Sequence, residues 1–185
     1  MSRYPRAVCV YCGSRAGENP AWREAASALG AGLAERGIEL VYGGGNVGLM
    51  GAAADAAMAA GGRVIGVIPR DLVAREHGHR AVSELHVVDS MHERKLLMVK
   101  LSDAFVSLPG GLGTLDETFE ILTWRQLRFH DKPIVLADIG GFWQPLLDLL
   151  NAQVEHGFVD PAHLSLMAVV RSVEEVFAAL ESAGP

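Results

Sequence analysis

Short apolar runs alternate with longer stretches of helical periodicity along the whole chain. Residues 7–11, 39–42, 63–68, 85–88, 104–107, 133–136 and 167–170 read as strands. Residues 21–36, 49–60, 91–101, 115–127, 142–155 and 173–182 read as helices. Several strands are almost wholly apolar, Val64-Ile65-Gly66-Val67-Ile68 most clearly, as expected when helices cover both faces of a parallel sheet. The alternation implies right-handed crossovers and a doubly wound α/β fold with a mostly parallel sheet. Ligands bind such sheets at the carboxyl ends of the strands, so the loops after the strands are where chemistry is sought. The longest irregular stretch, residues 69–83, carries Arg70, Arg75, His77, His79 and Arg80.

No internal repeat, low-complexity tract or linker interrupts the pattern, and 185 residues suit a single domain spanning 1–185. A net charge of −6 argues against a nucleic-acid partner, which needs a cationic surface to displace counterions. Any phosphate site must then be a local pocket. The Ala-rich stretch 52–60 is too short to span a membrane and contains Asp55. Residues 1–6 lead straight into a strand without a signal-peptide pattern, so a cytoplasmic location is expected. Cys9 and Cys12 spell C-x-x-C, but inside a strand pattern they are expected to be small buried side chains rather than a redox pair.

Two glycine-rich loops stand between a strand and a helix. The first, Gly43-Gly44-Gly45-Asn46-Val47-Gly48, contains a literal G-x-G-x-x-G. It departs from a dinucleotide fingerprint because the next strand ends in Pro69-Arg70 without an acidic ribose ligand. Gly44 and Gly45 are read either as a wall of a nucleotide pocket or as a tight turn. The second loop, Ser107-Leu108-Pro109-Gly110-Gly111-Leu112-Gly113, offers backbone amides suited to a phosphate and lacks the Lys-Ser/Thr of a Walker loop. Beyond it, Thr114-x-x-Glu117 is a capping-box pattern, so Glu117 is either a helix cap or a carboxylate beside the phosphate cradle. Asp116 adds a second carboxylate there.

A third element is Asp89-Ser90-Met91-His92-Glu93-Arg94-Lys95, where Ser90 and Glu93 form another capping box. Arg94 falls on the stripe of Met91, Met98 and Leu101, a position an arginine takes when it faces an anion. Lys95 lies at the stripe's edge and can reach solvent. The seven histidines show no metal-ligand spacing; His77 and His79 are expected to be solvated or beside substrate.

With these segments in view, the chain resembles the LOG ("Lonely Guy") family of cytokinin riboside 5′-monophosphate phosphoribohydrolases, whose members were often labelled lysine decarboxylases. The resemblance runs from Cys12-Gly13-Ser14, through the first glycine loop, to Trp124-x-Gln126-Leu127 and His130-Asp131-Lys132-Pro133. Its most specific elements are P-G-G-x-G-T-x-x-E, met by Pro109, Gly110, Gly111, Gly113, Thr114 and Glu117, and M-H-E-R-K, met by Met91 to Lys95. The resemblance implies a Rossmann-like fold, catalytic Arg94 and Glu117, and a homodimer or larger assembly with the site near its interface. It implies that Gly110, Gly111, Leu112, Gly113, Thr114, Leu115 and Asp116 hold phosphate and ribose, with Lys95 beside Arg94 and Glu76 in a substrate-binding loop. Gly13, Ser14, Gly44 and Gly45 complete the expected binding set.

The implied reaction is hydrolysis of the N-glycosidic bond of a purine nucleoside 5′-monophosphate, giving free base and ribose 5-phosphate. Glu117 would stabilise an oxocarbenium-like state and activate water. Arg94, a guanidinium and so a poor proton donor, would orient rather than donate a proton. No metal or organic cofactor is implied. The alternative is a nucleotide- or cofactor-binding module of the same fold without turnover, as in molybdenum-cofactor carrier proteins. Lysine decarboxylation would need a pyridoxal Schiff-base lysine in a context that Lys95 lacks.

Overall fold

The central strands of this chain are apolar on both faces, and the computed structural model, which describes residues 4–73 and 78–183, shows why. Strands β1 (Ala7–Tyr11), β2 (Glu39–Tyr42), β3 (Val64–Pro69), β4 (Glu84–Val88), β5 (Ala104–Ser107), β6 (Ile134–Ala137) and β7 (Ala168–Val170) form one sheet in the order β4-β3-β2-β1-β5-β6-β7. Every pairing is parallel. Val8 and Val10 of β1 pack in one layer with helices α1 (Pro20–Glu35), α2 (Gly48–Ala59) and α7 (Val173–Ser182). Ala7, Cys9 and Tyr11 point the other way, into a layer with α3 (Met91–Leu101), α4 (Leu112–Gln126) and α5 (Gln144–Glu155). Both cysteines are free and buried.

The chain winds outward from β1 to β4, then returns across the sheet to place β5 on the other side of β1. The loops after β1 and β5 therefore diverge over opposite faces and leave a crevice between them. Gly13, in the first loop, donates to Pro109 O in the second at 3.1 Å. Its own carbonyl accepts from Leu49 N and Met50 N at 3.0 and 3.4 Å, so the start of α2 is fixed to the same point.

Most boundaries fall within a residue or two of the periodicity, and two departures have local causes. Residues 139–141 form a 3-10 turn, so α5 begins at Gln144 rather than 142. A further short helix, α6 (Pro161–Leu164), is nucleated by Asp160, whose side chain accepts from Ala162 N. The third departure bears on function. Helix α4 begins at Leu112, three residues ahead of the expected 115, because Gly111 takes the extended cap conformation (φ −98°, ψ −153°). Thr114 and Glu117 thus lie inside the helix.

Helices α1 and α2 cross at backbone contact. A Cβ on Gly30 would lie 2.1 Å from Ala53 O and 2.9 Å from Ala53 C, atoms that cannot rotate away. Gly30→Ala should therefore lower the unfolding free energy by about 2 kcal/mol despite alanine's better helix propensity. Urea unfolding checks this; an unchanged midpoint would show that α1 and α2 can separate freely.

Candidate active site

The start of α3 is set by Ser90, whose hydroxyl accepts from Glu93 N at 3.1 Å, while the Glu93 carboxylate accepts from Asp89 N at 2.9 Å. Glu93 is thereby committed to the cap, and the next residue points inward. Arg94 is 5 % exposed. Its Nε donates to Val67 O in β3 and its Nη2 to Gly43 O just past β2, both at 3.1 Å. Nη1 lies 3.5 Å from Glu117 Oε1 and 3.9 Å from Met91 Sδ. The expected stripe is only partly buried: Met98 is, but Met91 is largely exposed and lies over the guanidinium. A Cβ on Gly43 would sit 2.0 Å from Arg94 Nη2, so only glycine lets this arginine reach the carbonyl.

Glu117 is 8 % exposed and stands in the second turn of α4. The capping-box reading is overturned, because a cap at Thr114 would need the helix to start after it. Thr114 instead is buried in the first turn, which is pinned to β5 by a short chain of hydroxyls. Thr118 Oγ1 donates to Thr114 O at 2.7 Å and lies 2.7 Å from Ser107 Oγ. The cap residue Gly111 has no side chain, and no acid occupies the first turn. The first N–H groups of α4 thus find no partner within the helix, and the positive end of its dipole faces the crevice.

The cradle glycines differ in what they do. A Cβ on Gly110 would meet Thr114 Oγ1 at 2.0 Å and Gly13 N at 2.9 Å, so that position serves packing. A Cβ on Gly111 or Gly113 meets nothing within 4 Å. Those two leave open space where a ligand would approach.

A niche of about 150 Å³ lies among Gly13, Ser14, Met50, Arg94, Thr114 and Glu117. It adjoins a cavity of about 510 Å³ through Gly13, Ser14, Gly111 and Leu112. The expected residues Gly13, Ser14, Gly111, Leu112, Gly113, Thr114, Arg94 and Glu117 are brought together here. Lys95 is not in solvent: its Nζ lies 3.1 Å from Asp116 Oδ2 and 3.0 Å from Glu120 Oε1 at the rim. Burial pulls its pKa down, but the bonds from Glu120 and Asp116 outweigh that and raise it, so Lys95 stays protonated. Gly44 and Gly45 lie beneath Gly78 and His79 rather than on the niche wall. His79 is buried, not solvated. Glu76 and His77 fall outside the described residues.

Sequence reasoning missed Cys12 and Met50 in the niche wall, and Arg15, Trp22 and Phe142 around the adjoining cavity. Nothing in their spacing marks them. Burial, then the nearby Glu117 charge, pushes the Cys12 thiol far up, so it is a neutral wall and not a nucleophile. A larger cavity, about 790 Å³, opens at the opposite ends of the strands. Several of its charged groups are taken up by the fold: Lys132 donates to Val99 O and Ser102 O, Arg125 donates to Leu166 O, and Asp103 accepts from Arg6 N and Ala7 N.

A family model described as "Possible lysine decarboxylase" matches residues 50–180. The cytokinin riboside 5′-monophosphate phosphoribohydrolase LOG1 of Arabidopsis thaliana is 44 % identical over 184 residues, which is all of this chain and 86 % of that protein. This chain belongs to the LOG family. A second family member, the cytokinin riboside 5′-monophosphate phosphoribohydrolase of Rhodococcoides fascians, is 44 % identical over 179 residues, covering 96 % of this chain and 90 % of the relative. Among solved structures, the molybdenum cofactor carrier protein of Chlamydomonas reinhardtii superposes with a TM-score of 0.72 at 26 % identity, covering 95 % of this chain and 96 % of that one. The Rossmann-like, doubly wound fold expected of the family is the fold observed.

The two classes of cradle glycine separate experimentally. Gly110→Ala should cost about 2 kcal/mol of stability by displacing Thr114. Gly111→Val should melt as wild type yet bind adenosine 5′-monophosphate about tenfold more weakly, because its side chain fills the anion's approach. Calorimetric titration and thermal melting decide this; unchanged affinity in Gly111→Val would move the phosphate elsewhere.

Proposed function

We propose that this chain hydrolyses the N-glycosidic bond of a purine nucleoside 5′-monophosphate, adenine or N6-substituted adenine, releasing the base and ribose 5-phosphate. One observation carries the reading. A buried carboxylate in the second turn of α4 lies 3.5 Å from a fixed guanidinium, and both line a niche beside a helix N-terminus that no side chain caps. The phosphate lies on the first amides of α4, at Gly111, Leu112 and Gly113, with Ser14 across the crevice. The niche is large enough for the sugar but not for a whole nucleotide, which extends over the rim. Glu117 then stands against the anomeric carbon.

As the bond from the anomeric carbon to the base nitrogen breaks, positive charge develops on the ribose ring, and the Glu117 carboxylate stabilises it. A water oxygen bonds to the anomeric carbon from the open side; Glu117 accepts its proton and returns it to solvent, from which the departing nitrogen gains one. Arg94 keeps the carboxylate oriented through its charged contact. Lys95 bridges Asp116 and Glu120 at the rim, which ties the start of α3 to α4. Decarboxylation through a Schiff base fits poorly, since it needs a neutral amine and Lys95 is held protonated by two carboxylates.

Glu117→Gln tests this directly. It removes the charge at constant shape, and it should fold, bind adenosine 5′-monophosphate within a few-fold of wild type, and lose at least about a hundredfold in base release, or roughly 3 kcal/mol of barrier. Chromatography of released adenine reads the result; near-normal turnover would remove Glu117 from the chemistry. The likeness to a cofactor carrier favours one other reading. A wild-type chain that binds the nucleotide and releases no base would be such a carrier.

The acting form is a homodimer in the cytoplasm, working on free nucleotides rather than nucleic acid. Leu112 is 86 % exposed although it lines both cavities, and Met91 and Leu96 on α3 are exposed as well. Apolar groups of that size are covered in a stable assembly, and covering Leu112 closes the mouth of the site. Among the described residues no helix is long and apolar enough to cross a membrane. Leu96→Glu should shift the light-scattering mass from dimer to monomer; a monomeric wild type would overturn the assembly.

A further inference from the structure

Helix α2 is built of glycine, alanine, leucine and methionine, with a single charged residue, Asp55. Its carboxylate lies 2.9 Å from Nε2 of His79, which belongs to the segment returning from the irregular loop before β4. Neighbours Arg80 and Ala81 are exposed, yet His79 is 5 % exposed. Its backbone N–H donates to Gly44 O at 2.9 Å, and Gly78 forms an antiparallel bridge with Gly45. The turn so gripped is the one whose Gly43 carbonyl receives Arg94 Nη2.

We propose that His79, held by Asp55, is a positioning residue: it latches the 43–45 turn and so fixes the Gly43 carbonyl that aims Arg94 at Glu117. The turn, three glycines long, has no side chain of its own to hold this shape. Gly44 is left-handed (φ +77°), and a Cβ there would meet Ile68 Cβ at 3.0 Å, so it carries no side chain to anchor itself. From below, β3 supports it closely: a Cβ on Gly66 would lie 2.9 Å from Gly44 Cα. From above, the support is the 78–79 segment alone among the bonds described. The same Asp55–His79 contact ties that segment to α2, whose first amides hold Gly13 O at the other wall of the niche. The latch thus joins the turn behind Arg94 to the helix behind Gly13, and sets the spacing across the site. Neither residue touches the niche, so the effect travels only through backbone carbonyl positions.

The kinetic half of the test rests on the proposed hydrolase reading, and the spectroscopic half does not. Asp55→Ala suits an alanine-rich helix and should leave folding intact. In the full-length protein its kcat for adenine release should fall about tenfold with KM within about twofold of wild type, because a displaced orienting group costs rate rather than binding. Asp55→Asn keeps an acceptor for His79 and should recover most of that loss. In ¹⁵N spectra the Arg94 Nε–H resonance, identified by its absence in Arg94→Lys, should exchange with solvent about tenfold faster in Asp55→Ala than in wild type or Asp55→Asn. Wild-type kcat together with an unaltered Arg94 resonance in Asp55→Ala overturns the latch. So does equal impairment of the Ala and Asn variants, or a rise in KM alone. If wild type itself releases no adenine, the hydrolase reading fails, and the Arg94 exchange rate still decides the latch.

Discussion

A guanidinium out of water costs several kcal/mol unless its donors are met, and Arg94 meets them with two backbone carbonyls and one carboxylate. The carbonyls come from two different strand ends, Gly43 past β2 and Val67 within β3. The carboxylate comes from a helix that follows a third strand, β5. The residue that orients the carboxylate in the proposed reading is thus also the one that binds the carboxyl edge of the sheet together. Position 43 must be glycine for the guanidinium to fit, and α3 must begin at Ser90 for it to point inward.

The other half of the site follows from an absence. Helix α4 starts on a glycine, without a hydroxyl or carboxylate to satisfy its first amides and without an acid in its first turn. Natural helices usually have such groups. Here the unmet donors face a crevice that the strand order creates between β1 and β5. Two glycines that pack against nothing keep the approach open, while a third, Gly110, lets Thr114 tuck beneath the loop. The chemistry proposed depends on this division of labour within four residues.

The fold was legible because parallel strands covered on both faces leave short continuous apolar runs, and here glycine loops and amphipathic helices alternate with them. Arg94 was legible for a related reason, since a lone cation on an apolar stripe must be paired. Glu117 was not, because Thr114-x-x-Glu117 satisfies a capping pattern and a site pattern equally, and the position of the cap depends on the backbone of Gly111. Lys95 was expected near solvent; its carboxylate partners Asp116 and Glu120 lie on another helix, beyond the reach of local periodicity. His79 was expected in solvent or beside substrate, and its burial was missed for the same reason: Asp55, which holds it, sits across a strand and a loop.

The parallel pairing of β1 with β5 has a consequence for how the protein folds. Val8 lies beside Ala104, with three strands and three helices between them in the chain. That closure sets a slow step, since long loops must be ordered before distant contacts repay them. The crevice does not exist until it happens, because one wall is the loop after β1 and the other the loop after β5. A nucleotide seated there therefore stabilises the finished sheet and no fragment of it, by mass action on the native state alone. Ligand protection against proteolysis should accordingly spread over the whole molecule rather than stay near the site.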